Sequence, residues 1–139
     1  MYLLDTNVVS ELRRPRPHGG VVAWLKRVPA EQLHISAMTL GELQAGVELT
    51  REQDPARAAA IEAWIGEVEQ STQVLAMDGS AFRQWARLMH RRSDDLIEDA
   101  MIAATALVHG LTVVTRNTRD FAPFAIETFD PFAARAKGR

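Results

Sequence analysis

Cysteine is absent from the 139 residues of this chain, which excludes a disulfide framework, a thiolate zinc site and a cysteine nucleophile. Long hydrophobic runs are absent too, since no apolar stretch approaches the roughly 18 residues of a membrane-spanning helix. The first residues lack the charged start and apolar segment of a secretory signal peptide. These absences predict a cytoplasmic protein with no membrane partner.

A strong charge of one sign is also missing. The net charge is −2 and the isoelectric point is about 6.1, which argues against a protein that relies on overall charge to bind nucleic acid. Nearly all the cations are arginines, which bind phosphates bidentately, so local phosphate contacts stay open beside the alternative of solvated helix ends. The arginine clusters are Arg13, Arg14 and Arg16, then Arg91 and Arg92, then Arg116 and Arg119.

Histidines are few and scattered. They stand at His18, His34, His90 and His109, with no spacing that suggests a pair. A ribonuclease that uses two histidines as acid and base is therefore disfavoured.

The length and the hydrophobic content of 47% indicate one domain with a real core, over residues 1–132, followed by a flexible tail at 133–139. Short apolar runs alternate with helical patterns, which predicts an α/β fold of three layers. Its central sheet should be mainly parallel, with four to five strands flanked by helices. The predicted strands are 2–4, 33–36, 73–76 and 111–115, with an edge strand at 126–129. The predicted helices are 8–13, 21–27, 38–49, one opened by Asp54-Pro55, one capped by Asp78, and 99–109.

Four acidic residues stand where an apolar run meets a turn or the start of a helix: Asp5, Glu42, Asp99 and Asp120. Ligand sites in parallel α/β sheets lie at the carboxyl ends of the strands. Carboxylates gathered there repel each other, and a bound divalent cation relieves the repulsion. Oxygen ligands suit Mg²⁺ or Mn²⁺, so the pattern points to metal-dependent phosphate chemistry.

Each acid also has a structural explanation. Asp5 could cap a helix, and Glu42 follows Thr39 at the spacing of a capping box. Asp99 could complement a helix dipole, and Asp120 could be a turn residue. Only the joint occurrence of all four at element boundaries favours a shared site.

Three segments carry a family resemblance: LLDTNVVSEL, ISAMTLGELQAGV and DAMIAATALVHGLTVVTRNTRDF. Together they resemble the PIN-domain ribonucleases, and closely the VapC-type toxins of type II toxin–antitoxin modules, over nearly the whole chain. Three such motifs in order are far more specific than one. The resemblance implies a PIN-like three-layer fold.

By this resemblance, Asp5, Glu42 and Asp99 match the acids that family members use at their metal site. Some members have an Asp where this chain has Asn117, and others have it where this chain has Asp120. Mg²⁺ or Mn²⁺ is thus expected on Asp5, Asp99 and either Asp120 or Asn117, directly or through water. Glu42 would position or deprotonate the attacking water, or bind a second ion. The expected activity is endonucleolytic hydrolysis of RNA.

The segment before Asp99 departs from the family because it lacks a Gly-containing loop and adds Asp94, Asp95 and Glu98. These three acids are expected to be solvated. Asp99 is preferred over Glu98 as the ligand because the sequence DAMIAA begins there.

Other polar residues are expected to assist the acids. Thr6, Ser36 and Thr115 stand where their hydroxyls could orient carboxylates. Arg116 and Arg119 are candidate contacts for RNA phosphates, with salt bridges to the site acids as the alternative.

The family resemblance also implies partners. A cognate VapB-type antitoxin would inhibit the toxin, a homodimer is expected, and DNA would be bound only indirectly, through the antitoxin. Val9, Leu12, Trp24 and Leu25 could line a groove for an antitoxin helix, although an ordinary place in the core is favoured.

Other functions stay open at this point. A phosphoaspartyl phosphatase would need a second Asp at position 7, which is Asn, and a receiver domain would need a late lysine, where only Lys26 and Lys137 occur. The more serious alternative is a PIN-fold interaction module with weak or lost nuclease activity that acts through its antitoxin.

Overall fold

A parallel five-stranded sheet forms the centre of the computed structural model, which describes residues 1–134. The strands are β1 Tyr2–Leu4, β2 Leu33–Ser36, β3 Gln73–Leu75, β4 Thr112–Val114 and β5 Thr128–Phe129. Their order is β3-β2-β1-β4-β5, and every pairing is parallel. The α/β prediction is confirmed, although three strands are shorter at one or both ends than the sequence suggested.

The strand register brings three chain segments to one edge of the sheet. Leu4 of β1 pairs with Ile35 of β2 on one side and with Val114 of β4 on the other. The residues that follow these strands therefore lie side by side at the carboxyl edge. This register places Asp5 beside Thr115.

Eight α-helices connect or follow the strands within residues 1–134. They are α1 Thr6–Glu11, α2 Gly19–Arg27, α3 Ala37–Arg51, α4 Pro55–Ser71, α5 Gly79–Met89, α6 Ile97–His109, α7 Thr118–Phe121 and α8 Pro131–Ala134. Short 3₁₀ turns occur at Ala30–Gln32, Asp94–Leu96 and Ala122–Phe124. The predicted caps of α4 and α5 are confirmed, since the Asp54 side chain accepts from Arg57 N and that of Asp78 from Ala81 N.

Four helices, α1, α2, α3 and α6, begin one or two residues earlier than predicted, and two of these differences have a local cause. The first helix begins at residue 6 rather than 8, because Asp5 ends β1 and at once caps α1 by accepting from Thr6 N. The helix that carries Asp99 begins at Ile97 rather than Asp99, because a 3₁₀ turn leads directly into it. Asp99 nonetheless lies in the first turn, as expected. The same helix ends at Gly110, whose left-handed backbone (φ 68°) suits a glycine.

The core is divided by the sheet into two layers, because neighbouring residues of a strand point to opposite faces. Leu3 packs on one face with α6, and Leu4 packs on the other face with α1 and α2. On the α6 side, three alanines are fully buried: Ala100, Ala103 and Ala104. Their small side chains let α6 lie close to the sheet, which brings Asp99 to the carboxyl edge.

The four apolar residues considered for an antitoxin groove are divided between two environments. Val9 and Trp24 are core residues at 2% and 7% exposure. Leu12 and Leu25 instead line an apolar pocket together with Leu33. Leu25 is partly buried and packs against the same core cluster, so the core explanation fails only for Leu12, which is 40% exposed.

Two further sequence predictions concern the ends and the membrane. The last described helix runs through Ala134, so the predicted tail falls mostly on residues 135–139, which lie outside the described residues. In the described part of the chain, no helix combines the length and the hydrophobicity that crossing a bilayer demands.

Candidate active site

Asp5 is the most tightly held acid of the site. Its Oδ1 accepts from Thr6 N at 2.8 Å, and its Oδ2 accepts from the Thr115 hydroxyl at 2.8 Å and from Asn7 Nδ2 at 3.2 Å. The Thr115 hydroxyl in turn accepts from Asn117 N at 3.0 Å. Because strand ends and helix starts supply every donor, the direction of this carboxylate is determined by the backbone. Asp5 is thus both a helix cap and a site acid.

Glu42 reaches the same site from α3 through a chain of hydroxyls. Thr6 Oγ1 donates a short hydrogen bond to Glu42 Oε1 and lies 3.1 Å from Thr39 Oγ1. The predicted capping box is wrong, because α3 begins at Ala37 and its cap is Ser36. Glu42 is therefore turned toward Asp5 rather than back along its own helix.

Asp99 and Asp120 complete a concentration of negative charge around Asp5. Burial and the charges of Asp5, Asp120 and Glu98 raise the pKa of Asp99 to about 6. Burial is also the main cause that raises the pKa of Asp5, to which Asp120 adds a smaller contribution. Asp5 and Asp120 therefore lie close enough to Asp99 for their charges to act on it.

Glu98 is a residue that sequence reasoning left out of the site. The pKa of Glu42 is raised to about 7, mainly by burial and further by a hydrogen bond and charge repulsion with Glu98, against a lowering contribution from Thr6. From the sequence, we preferred Asp99 as the metal ligand and expected Glu98 to be solvated. The structure confirms that Glu98 is exposed, but it also places this carboxylate against Glu42.

Thr39 was considered only as a capping residue, yet it is fully buried and bonds Thr6. A threonine three residues before Glu42 lies one helical turn away on the same face, so its spacing could have indicated this role.

Asn7 was considered only as an argument against a phosphoaspartyl phosphatase, which needs an aspartate at this position. Its amide bridges Asp5 and Thr115, and its Oδ1 accepts from Arg116 N at 3.1 Å.

Several predicted residues have different surroundings from those expected. Ser36 was predicted to orient an acid, but its hydroxyl accepts from Met38 N as the cap of α3. Thr6 and Thr115 do bond the acids, as predicted. Arg116 forms no ion pair with an acid in residues 1–134, and its guanidinium lies over the Phe132 ring. The salt bridge considered for this arginine is therefore not formed there.

Asn117 and Asp120 line one small polar depression with Arg116 and Arg119. Asp120 and Asn117 are both exposed. Only Asp120 carries a negative charge, and that charge acts on Asp5 and Asp99. By charge, Asp120 is therefore a better candidate than Asn117 for the fourth acidic position of the site.

The donor chemistry of the site fits a hard divalent cation, because its carboxylates offer oxygen ligands and, beside burial, neighbouring negative charges raise the pKa values of Asp5 and Asp99. Within residues 1–134, no three acidic or histidine side chains converge tightly enough to enclose a metal ion. Mg²⁺ is usually held by one or two carboxylates together with waters and substrate phosphates. An open arrangement of this kind suits that ion better than a closed cage.

A parallel α/β sheet with acids at its carboxyl edge places the chain among α/β proteins whose site lies at that edge. The chain belongs to the PIN domain family, whose model matches residues 2–126. Among curated relatives, it is 33% identical to Toxin FitB of Neisseria gonorrhoeae over 139 residues, which covers 95% of this chain and 99% of the relative. It is 35% identical to VapC ribonuclease Y4jK of Sinorhizobium fredii over 143 residues, with 95% and 98% coverage.

Solved structures agree with this family. The crystal structure of FitAcB from Neisseria gonorrhoeae matches with a TM-score of 0.83 at 33% identity, over 95% of this chain and 99% of that chain. The DNA-bound VapBC structure from Salmonella typhimurium matches with a TM-score of 0.70 at 27% identity, over 94% and 97%. The PIN-like fold predicted from the sequence is thus confirmed over nearly the full length.

Proposed function

We propose that this chain is an endoribonuclease and the toxin of a type II toxin–antitoxin module. The observation that carries this proposal is the buried Asp5 carboxylate, held by Thr6, Asn7 and Thr115 among further acids at the carboxyl edge. Similarity to a VapC ribonuclease along the whole chain supports the same activity. Hydrolysis of phosphodiester bonds in cellular RNA would then inhibit translation and growth.

The proposed cofactor is Mg²⁺ or Mn²⁺, held by Asp5 and Asp99 with Asp120 or Asn117. Such an ion, when bound, lowers the pKa of water and stabilises charge on phosphoryl oxygens. Its positive charge also offsets the charge repulsion that, beside burial, raises the pKa values of Asp5 and Asp99.

The other residues act by binding and by proton transfer. Glu42, with a pKa of about 7, can accept a proton from the attacking water near neutral pH. The Thr6 hydroxyl holds the Glu42 carboxylate in place for this transfer. Arg116 and Arg119 would contact phosphates of the bound strand. The expected products carry 5′-phosphate and 3′-hydroxyl ends, and structured RNA such as tRNA or rRNA is the proposed target.

The proposed partners follow the relatives. The toxin–antitoxin structures FitAcB and VapBC support a VapB-type antitoxin for this chain, and the DNA-bound VapBC complex supports indirect DNA binding. The apolar pocket with Leu12 and Leu25 offers a place for an apolar antitoxin helix. A cytoplasmic location and a homodimer remain part of this proposal.

A second candidate is an interaction module with weak or lost nuclease activity. Its support is the open arrangement of the acids in residues 1–134 and the neutral Asn117. The two candidates differ in whether the purified chain cuts RNA.

The deciding experiment incubates the purified chain, freed of antitoxin, with total RNA and Mg²⁺ or Mn²⁺. EDTA and the Asp99→Asn variant should both abolish the fragments. Asp94→Asn is the matched control, because Asp94 is an exposed acid only five residues away, in the 3₁₀ turn before α6. Fragments that persist in Asp99→Asn would contradict the assigned site. A folded protein that cuts no RNA pool would favour the interaction module.

A further inference from the structure

Arg116 makes a contact that the proposed mechanism leaves unexplained. Its guanidinium carbon lies 4.0 Å from the centroid of the Phe132 ring. The His18 ring also contacts Phe132, with the ring centroids 5.0 Å apart and a tilt of 57°. A guanidinium over an aromatic face is attracted by the ring quadrupole. The contact therefore favours one placement of the flexible Arg116 side chain.

The fold brings Phe132 to this position through the last strand. Thr115 N donates to Phe129 O at 2.9 Å, which extends the β4–β5 pairing to the carboxyl edge. Immediately afterwards, Asp130 Oδ1 accepts from Phe132 N at 2.8 Å and caps the start of α8. Phe132 is only 8% exposed, so its ring is a fixed surface beneath Arg116.

The backbone of Arg116 is tied to the acidic site from the opposite direction. Arg116 N donates to Asn7 Oδ1 at 3.1 Å, and Asn7 Nδ2 donates to Asp5 Oδ2 at 3.2 Å. Backbone and guanidinium are thus both positioned relative to Asp5. Arg116 is nevertheless exposed, and it pairs with no acid in the described residues.

Arg119 provides a contrast on the same rim. It is exposed as well, but no aromatic ring within residues 1–134 lies beneath its guanidinium. Two arginines of equal charge therefore differ in how much freedom they lose when they bind an anion. The restrained one has less to lose, since immobilising a long side chain is a cost of association.

We propose that Phe132 is a positioning residue that holds the Arg116 guanidinium ready to bind a backbone phosphate of single-stranded RNA beside the bond that is cut. This inference rests on the proposed ribonuclease function and adds a residue that lies outside the three motifs. The acids repel the RNA backbone, so a cation held at a fixed place on their rim sets the register of the strand.

The test measures binding of a fluorescein-labelled single-stranded RNA of mixed sequence by anisotropy, with every variant made in the Asp99→Asn background to suppress cleavage. Phe132→Leu should weaken binding about two- to fivefold, the worth of one cation–π contact. Phe132→Tyr keeps the ring and should retain the affinity. Arg116→Gln should weaken binding about tenfold and reduce the salt slope by about 0.7, the contribution of one phosphate.

The decisive readout is the combination of variants. Phe132→Leu should have no further effect when it is added to Arg116→Gln, because it acts through that arginine. In the active protein, Phe132→Leu should raise KM and leave kcat within about twofold. Arg116→Lys, which keeps the charge but not the flat fork that stacks on a ring, should be less sensitive to Phe132→Leu than the unaltered arginine.

Three results would overturn the proposal. If Phe132→Leu lowered the RNA affinity equally with and without the Arg116→Gln substitution, the ring would only stabilise the fold. RNA affinity unchanged in all variants would contradict the proposal while leaving the nuclease function intact. Absence of both RNA binding and RNA cleavage in the otherwise unaltered chain would contradict the proposed function and this inference together.

Discussion

The acidic site has two halves that are built differently. In the rigid half, Asp5 and Glu42 are held by hydroxyl, amide and backbone donors from α1 and from the end of β4. In the open half, Asp99 and Asp120 form no side-chain hydrogen bond or ion pair among residues 1–134, and burial together with repulsion from other acids raises the pKa of Asp99. One half is ordered by hydrogen bonds before anything binds, whereas the acids of the other half have no such bonds in the described residues.

The difference indicates how such a site can bind and release a charged substrate. A rigid carboxylate keeps one ligand in place at no further entropic cost, while movable carboxylates adapt to the ion and phosphate that arrive. The open half also explains why the described acids do not converge as a closed cage. Substitutions in the two halves should therefore differ in size and in kind.

The largest effect is expected at Asp5. Asp5→Asn keeps the shape and the helix cap but removes the charge, so RNA cleavage should fall by more than about a hundredfold. Cleavage of a labelled RNA and the far-UV circular dichroism spectrum check activity and fold. Asp94→Asn should behave like the unaltered chain. Full RNA cleavage by a folded Asp5→Asn variant would contradict the assignment of Asp5 to the active site.

Thr115→Val removes one hydroxyl of the rigid half without changing its volume much. Asp5 loses a 2.8 Å donor and Asn117 N loses its acceptor, so activity should fall about 10- to 100-fold and unfolding should become easier by about 1–3 kcal/mol. Thr112→Val on the same strand is the control, because its hydroxyl bonds Glu127, away from the acids. Equal effects of the two changes in kinetics and in chemical denaturation would contradict the prediction.

The open half is tested by comparing Asp120 with Asn117. Asp120→Asn should weaken Mn²⁺ binding and RNA cleavage about tenfold, because its charge reaches both Asp5 and Asp99. Asn117→Ala removes only a neutral side chain and should cost less. Calorimetric titration with Mn²⁺ ranks the two variants, and the reverse ranking would assign the fourth ligand to Asn117.

The smallest effect concerns pH. The pKa of Glu42 is raised from 4.5 to about 7 and that of Asp99 from 3.8 to about 6, so the folded state holds more protons than the unfolded chain between about pH 4 and 7. The contribution of these groups to the free energy of unfolding should therefore decrease as pH rises through this window.

Urea denaturation of the metal-free chain and of Glu42→Gln across the window isolates this contribution, because carboxylates elsewhere cancel in the difference. The unaltered chain should lose more stability than Glu42→Gln as pH rises, and Mg²⁺ should reduce this loss. A smaller loss in the unaltered chain than in Glu42→Gln would contradict the sign.

Much of the fold could be predicted because its signals are local. The apolar run of β1, the Asp54-Pro55 start of α4 and the Gly110 end of α6 depend on neighbours within a few residues. The errors came where a distant partner decided the outcome. Thr39 was expected to cap a helix and Ser36 to orient an acid, but their roles are exchanged. Ser36, at the end of β2, caps α3, and Glu42 instead accepts a hydrogen bond from Thr6.

The sequence by itself determined the alternation of strands and helices, the family and the four boundary acids, because each is written in a short pattern of residues. Only the tertiary structure decided how those acids are held and that Phe132 lies beneath Arg116. The Thr115–Asp5 bond joins residues 110 positions apart, and its existence depends on the register of β1 with β4. Register is a property of the packed sheet, since burial of one face selects it from among the pairings that the local pattern allows.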